Sequence, residues 1–331
     1  MAQGFVNRVV PASSFALGVS RAIVHGTFLI SVIATSFSAL GKLPPTILRP
    51  TGAMKILPWS LYDQLLTPAG MTILQTALVL SLLASTAGVL TSVSTKTSLL
   101  LVVFYQGLLR SFGHFNHDEM LGVYCLVVLA FTPCGDAFSV DAWKRTNLLC
   151  VFAPLREMTS RTSTPIDSEN MSRKGAKTQR RERPLWAYAY PILLMQLLMA
   201  WVYFSSALIK LRVAGLNYLS ADNLPSLAIL HSLDNLHDTQ FRLAFWLPQV
   251  RSYLPLAVGL VLAWELLFPL AVFWRRARWW ILGAGVAFHL STLFFMNIFF
   301  PHQLALYLLF VNWDKVAQLA RASRPTAPVN S

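Results

Sequence analysis

The chain has 331 residues, of which 55% are hydrophobic and only 12% charged, with a mean hydropathy of +0.53. A soluble domain carries about twice that share of charge, so the composition excludes an ordinary soluble enzyme, a disordered chain and a disulfide scaffold. The net charge is +13. Because the apolar residues come in long blocks, this excess reads as the basic loops of a multi-spanning membrane protein rather than as a nucleic-acid surface.

The pattern predicts an all-α, polytopic membrane helix bundle of about eight spans. In chain order they cover 15–40, 71–93, 98–113, 119–134, 185–211, 254–274, 279–299 and 302–319. The first block is long and no small-residue cleavage site follows it, so it reads as a span and not as a cleaved signal. The third and fourth are short for the roughly 20 residues a crossing needs. Spans one to four make a front half, 1–143, and spans five to eight a back half, 185–319, with a tail at 320–331. Between the halves, 144–184 is basic, rich in Ser and Thr and nearly free of apolar clusters, which predicts a disordered tether. No internal repeat relates the halves, so an inverted-repeat transporter gains no support. Cys125, Cys134 and Cys150 have no metal-ligand spacing and read as packing residues.

Loop charge sets the expected topology. Ten Lys and Arg fall between Lys144 and Arg183, and Arg275, Arg276 and Arg278 occupy the turn after span six. With the N-terminus inside, nineteen basic residues lie inside and eight outside, which predicts both termini in the cytoplasm. Trp143, Trp186, Tyr188, Trp274, Trp279, Trp280 and Trp313 then form an inner aromatic belt. The expected location is a bacterial inner (cell) membrane, with membrane lipids as the first partners and no nucleic acid.

Ionisable groups inside spans are costly and need an account. Glu265 lies eleven residues into span six, ~16 Å down at 1.5 Å per residue, and His289 sits at a similar depth in the antiparallel span seven. They could meet, either as a satisfied Glu–His hydrogen bond or as a proton-handling or polar-ligand site. His25 in span one reads as a packing group. A second polar group gathers at the expected outer rim: His114, Asn116, His117, Asp118 and Glu119, the end of span five from Tyr203 to Lys210, and Asn297 with His302. Lys210 alone reads as a snorkelling lysine, and His117-Asp118-Glu119 as a polar turn followed by an acidic first helical turn. His114 and His117 show no strong metal-ligand pattern, and no metal is expected. On the inner side, Pro133 to Asp141 closes span four. Ser139 or Asp141 would cap a short interfacial helix, and Asp141 can pair with Arg145.

Four stretches, in order, resemble the HTTM family, whose membrane module is shared with vitamin K-dependent gamma-carboxylase. Asn116-His117 with Leu121 resembles the family's Asn-His-x-x-Leu entry to a span. Phe138-Ser139-Val140-Asp141 resembles its Phe-Ser-hydrophobic-Asp exit. Tyr203-Phe204 through Lys210-Leu211 is similar to its Tyr-Phe-x-x-Gly-x-x-Lys-Leu helix end, with Ala207 at the glycine. Phe288-His289-Leu290 followed by Phe299-Phe300-Pro301 is the fourth. Past Lys210, Tyr218 to Leu224 is the nearest fit to the family's Trp-Leu-x-Gly-x-x-Leu.

This resemblance implies an enzyme using a reduced, vitamin K-like quinone. A lysine at the position of Lys210 would deprotonate the quinol, and oxygen would convert it to a strong base that removes a glutamate proton before carbon dioxide adds. His117 would stabilise charge beside the quinone or substrate, His289 would line the same cavity, and Asn116, Tyr203 and Glu265 are further candidate lining residues. Two alternatives stand beside the enzyme. One is a non-catalytic accessory, immunity or scaffold protein with a membrane or exported protein partner. The other is a proton-coupled transporter using Glu265 and His289.

Overall fold

The computed structural model describes residues 10, 12–113, 117–147, 183–234 and 242–323; of residues 117, 118 and 234 it describes the backbone alone. All regular structure among them is helical. The main helices are α1 (Ser14–Ala34), α2 (Pro68–Ala87), α3 (Thr91–Ser111), α4 (His117–Ala130) and α5 (Trp186–Ala214). They continue with α6 (Asn223–Asp234), α7 (Leu254–Leu267), α8 (Arg275–Met296), α9 (Pro301–Leu306) and α10 (Trp313–Ala322).

Five segments are long and apolar enough to cross a membrane: α1, α2, Trp186–Leu219, Leu243–Leu267 and α8. Large apolar side chains such as Ile30, Ile73, Leu80, Leu100, Leu256 and Leu260 are exposed on the helix surfaces, as a lipid-facing exterior requires. The chain is a membrane-embedded helical protein.

The helix ends differ from the sequence expectation for local reasons. The first span stops at Ala34, and Phe37–Leu40 is a separate turn. The second stops at Ala87, because Gly88 turns left-handed at φ 75° and caps the helix, a conformation that suits glycine. The third begins at Thr91, seven residues earlier than expected, and runs 21 residues; α4 has only 14. Span six breaks after Leu267, and Pro269 opens a short turn, Leu270–Phe273. The three arginines expected in the following loop belong to the first turns of α8. The expected span eight is divided into α9, a 3-10 turn Tyr307–Phe310 and the separate helix α10.

Helix α1 packs along α2, α2 along α3, α3 on α4, and α5 on α1, α4 and α7. One continuous core joins front and back halves, with Val24, Leu78, Val102, Leu126, Met195, Phe268 and Tyr307 all in it. A smaller cluster of Ala228, Ala244, Leu247 and Leu254, with Phe295 and Met296 against it, seats α6 and the turn before α7 on the end of α8.

One end of the bundle is fastened by buried capping. The Arg21 guanidinium, wholly buried, donates to the carbonyls of Ser85, Thr86 and Phe138. Asp141 accepts from the amides of Leu90 (3.0 Å) and Thr91 (2.7 Å) and from the Thr91 hydroxyl (2.7 Å), so it caps α3. Ser139 caps the helix at 140–147 by accepting from the Ala142 amide, while Arg145 donates to the Gly135 carbonyl. Asp141 and Arg145 lie close, but each gives its hydrogen bonds to main-chain groups rather than to the other. Both ends of the described chain meet here: the Ser13 amide and hydroxyl donate to the two Asp314 carboxylate oxygens. Cys125 and Cys134 are buried free thiols, as packing residues would be; Cys150 lies outside the described residues.

Candidate functional site

Helical spacing puts Tyr203, Ser206 and Lys210 on one face of α5. That face meets α7 and the turn after it. There Lys210 Nζ donates to both Glu265 oxygens, at 2.6 and 2.7 Å, and Ser206 Oγ donates to Oε1 at 3.3 Å. The Glu265 side chain is 4% exposed and that of Lys210 25%. Lys210 is therefore turned inward to a carboxylate, where its end-of-helix position alone had suggested snorkelling. A carboxylate this buried is costly unless it is paired.

Two helical turns from Lys210 along α5, Tyr203 Oη meets His289 Nε2 at 2.7 Å and Tyr307 Oη at 3.0 Å. The Glu265–His289 hydrogen bond expected from the antiparallel spacing is not formed: the lysine takes the carboxylate and the tyrosine takes the imidazole. His289 Nδ1 meets no hydrogen-bonding partner among the described residues. The three groups are held by aromatic packing, with Tyr203 4.3 Å from the Phe268 ring and 4.9 Å from Trp264, and His289 5.2 Å from Phe300. Trp264 is itself fixed by donating to the Ile281 carbonyl at 2.8 Å. Gly285 makes room for this arrangement, since a Cβ there would meet the Tyr307 hydroxyl and lie 2.8 Å from the Trp264 ring.

Lys210 also faces a cavity of about 460 Å³, walled by α6, α7 and α8. Its lining is chiefly apolar, including Leu227, Val258, Phe288, Phe295 and Phe300, with Tyr218, Asn223 and His231 as polar points. The Tyr218 ring lies 5.7 Å from Lys210 Nζ. Asn297 secures the wall, holding a left-handed φ of 56° at the end of α8 while its side chain donates to Ser232 Oγ at 3.1 Å.

Of the candidate site residues Lys210 lines this cavity, as do Tyr218, Leu224, Phe288 and Phe300 from the stretches that carry the resemblance. Glu265 stands directly behind Lys210, and Tyr203 and His289 lie deeper, in a hydrogen-bonded layer behind the cavity wall. Asn116 and the His117 side chain lie outside the described residues. His25 is buried, with Nδ1 3.0 Å from the Arg21 carbonyl, and is a packing group. His302 packs against Phe28 with ring centroids 4.6 Å apart and the rings tilted by 54°. Sequence reasoning missed Tyr307, Phe268, Trp264 and Arg21. Of these only Arg21, a charge inside an apolar block, carried a signal. Among the described residues no group of three or more His, Cys, Asp or Glu is placed to hold a metal ion.

Comparison with family models, with curated proteins and with solved structures found no match to this chain.

Proposed function

We propose that this protein is a multi-pass membrane enzyme that takes a proton from a lipid-soluble quinol, with Lys210 as the base. The observation that carries this reading is an amine held by a buried carboxylate at the wall of an apolar cavity. A cavity of about 460 Å³ lies within the 300–1,000 Å³ typical of small-molecule sites, and its apolar walls suit a reduced quinone ring. A bound quinol would supply an acidic phenolic hydroxyl. Lys210 can receive that proton only as a free amine, so its own extra proton must first pass to Glu265. The contacts of 2.6 and 2.7 Å between Nζ and the two Glu265 oxygens give that proton a direct path. Glu265 and Lys210 therefore work as a unit, with Ser206 fixing the carboxylate. Tyr203, His289 and Tyr307 supply a second hydrogen-bonded relay behind the site. The resemblance to the HTTM family, and with it the carboxylase-like chemistry, is part of this proposal. The roles of His117 and Asn116 come from that resemblance alone.

The proposed topology is eight crossings with both termini in the cytoplasm of a bacterial cell membrane. In its favour, Ser13 and Asp314 meet at one end of the bundle, where Arg21, Arg145, Arg183 and Arg278 also lie near helix ends. Helix α4 and the segment from Pro301 would be the shorter spans.

The competing reading is an accessory membrane protein in which Lys210–Glu265 is a structural clasp. It is favoured by the engagement of one ammonium with both carboxylate oxygens. Lys210→Ala decides between them: the enzyme reading expects turnover of a supplied quinol to fall at least a hundredfold, a typical contribution of a positioned base, in protein that still purifies folded. Wild-type turnover in that variant would overturn it, and copurification of a quinone with the wild type, read by mass spectrometry, would support it.

A further inference from the structure

Helix α10 differs from the rest of the bundle in what it buries. Of α1 to α10 it alone has no buried side chain. Its first turn is tied down. Asn312 Oδ1 accepts from the Lys315 amide at 3.0 Å, Trp313 Nε1 donates to the Leu308 carbonyl at 3.0 Å, and the Asp314 carboxylate accepts from Ser13. From Lys315 to Ala322, in contrast, no side chain makes a hydrogen bond among the described residues. A helix of 10 residues without a packed side is marginal in water, so its outer face calls for a surface.

The spacing i, i+3, i+4 puts Val316, Leu319 and Ala320 on one face, while Asp314, Lys315, Gln318 and Arg321 fall outside it. Val316 is 44% exposed and Leu319 61%. Charge and level decide what covers this face. Asp314 is held by Ser13, and from Lys315 to Ser331 the sequence carries Lys315, Arg321 and Arg324 with no acidic residue. Trp313 and Lys315 line one cavity with Arg278 and Trp279 of the first turns of α8, a helix long enough to cross a membrane. Helix α10 therefore starts at the level where α8 starts, and Trp274, Trp279 and Trp280 are exposed there. Tryptophans beside basic residues mark the headgroup level. A second copy of this chain, paired through the same face, would bring like charges together.

We propose that α10 does not cross the membrane but lies in the headgroup layer of anionic phospholipid. Val316, Leu319 and Ala320 turn to the acyl boundary, and Lys315 and Arg321 reach the phosphates along their own methylene stems. The expected last span is then two devices: a crossing that ends at Phe310 and a helix that anchors it to the surface.

The test uses the full chain carrying Cys150→Ser, since Cys125 and Cys134 are buried. A nitroxide is attached at Leu319→Cys or, on the other side of the helix, at Gln318→Cys. The protein is reconstituted in phosphatidylcholine with or without phosphatidylglycerol, and collision with oxygen or with a water-soluble nickel chelate reads the depth of each label. With phosphatidylglycerol, the label at 319 is expected to favour oxygen and the label at 318 the chelate. A basic residue beside an anionic surface is worth about fivefold, so Lys315 and Arg321 together are expected to shift the ratio of seated to lifted helix about 25-fold. Lys315→Gln/Arg321→Gln, which touches no buried group, is expected to remove the response to phosphatidylglycerol. Two labels equally open to the chelate would overturn the proposal, as would two labels equally open to oxygen, the mark of a continuous crossing. A label at 319 closed to both reagents would place a protein there instead of lipid. Equal accessibility in the two lipids, or an unchanged response in the double variant, would remove the role of charge and with it the proposal.

Discussion

The two ends of this helix bundle treat buried polarity in opposite ways. At the basic end, Arg21, Ser139 and Asp141 give their hydrogen bonds to main-chain groups at helix ends. Around the cavity, Lys210, Glu265, Tyr203, His289 and Tyr307 give theirs to one another. A side chain spent on a backbone cap fixes architecture, because its partner cannot move without unwinding a helix. A side chain spent on another side chain keeps protons that can be exchanged. The comparison therefore assigns stability to the first region and chemistry to the second, and substitutions in the two should separate along that line.

The largest effect on stability is expected from Arg21→Ala. It leaves the carbonyls of Ser85, Thr86 and Phe138 without their buried donor and opens a void among α1, α2 and the 138–141 turn. Unpaired buried acceptors and large-to-small cavities each cost a few kcal/mol, so a loss of about 4 kcal/mol is expected in denaturant unfolding. The capping role predicts no selective effect on the cavity. A variant that kept its stability but lost ligand binding would break the division between the two ends.

Next comes Glu265→Gln, which strips the Lys210 ammonium of its counter-charge. Breaking a buried pair costs roughly 3–5 kcal/mol. Because Lys210 is 25% exposed, about 3 kcal/mol is the expected figure. Glu265→Gln combined with Lys210→Met removes both charges and should regain most of that stability. Quinol turnover, in contrast, should stay lost in the double variant. Recovery of stability without recovery of turnover is the signature of chemistry at this pair. Full recovery of both would make the pair dispensable.

A smaller effect is expected at Gly285, whose added methyl in Gly285→Ala presses on the Tyr307 hydroxyl and the Trp264 ring. Overpacking of this kind costs about 1–3 kcal/mol. Here it also pulls Tyr307 from Tyr203, so the relay loosens while Lys210–Glu265 is left in place. Comparing this variant with Glu265→Gln ranks the two hydrogen-bonded groups by their weight in turnover, and equal losses of turnover would tie them into a single unit.

What was legible in the sequence follows the same division. Apolar blocks located the long helices, and the cost of ionisable groups inside them marked Glu265 and His289 as groups that could meet, while Lys210 alone read as a snorkelling lysine. The Lys210–Glu265 pairing was not legible, because the approach of α5 to α7 is set by packing across 55 residues of chain. Tyr307 was hidden because a tyrosine in an apolar run carries no cost that calls for explanation. Helix ends were misplaced wherever a single conformation decided them, as with the left-handed turns at Gly88 and Leu90. The motif 138–141 could be read as structural, but only the three-dimensional contact of Asp141 with Leu90 and Thr91 shows what it holds together.

That contact gives the smallest and most specific expectation. Burial alone would raise the Asp141 carboxyl, but the hydrogen bonds from Thr91 and Leu90 and the nearby Arg145 outweigh it and hold the group below the ordinary carboxylate range. A carboxyl lowered by folding contributes its stability above the unfolded-state value, and loses it as pH falls through the folded-state value. Wild type should therefore be more stable than Asp141→Asn at neutral pH, and the gap should close in acid, below the pH at which free aspartate titrates. Unfolding midpoints measured from pH 7 downward read this directly. A gap that stayed constant with pH would mean that the Asp141 oxygens act only as neutral acceptors. The cap would then owe nothing to charge, and the basic end would be held by hydrogen-bond geometry alone.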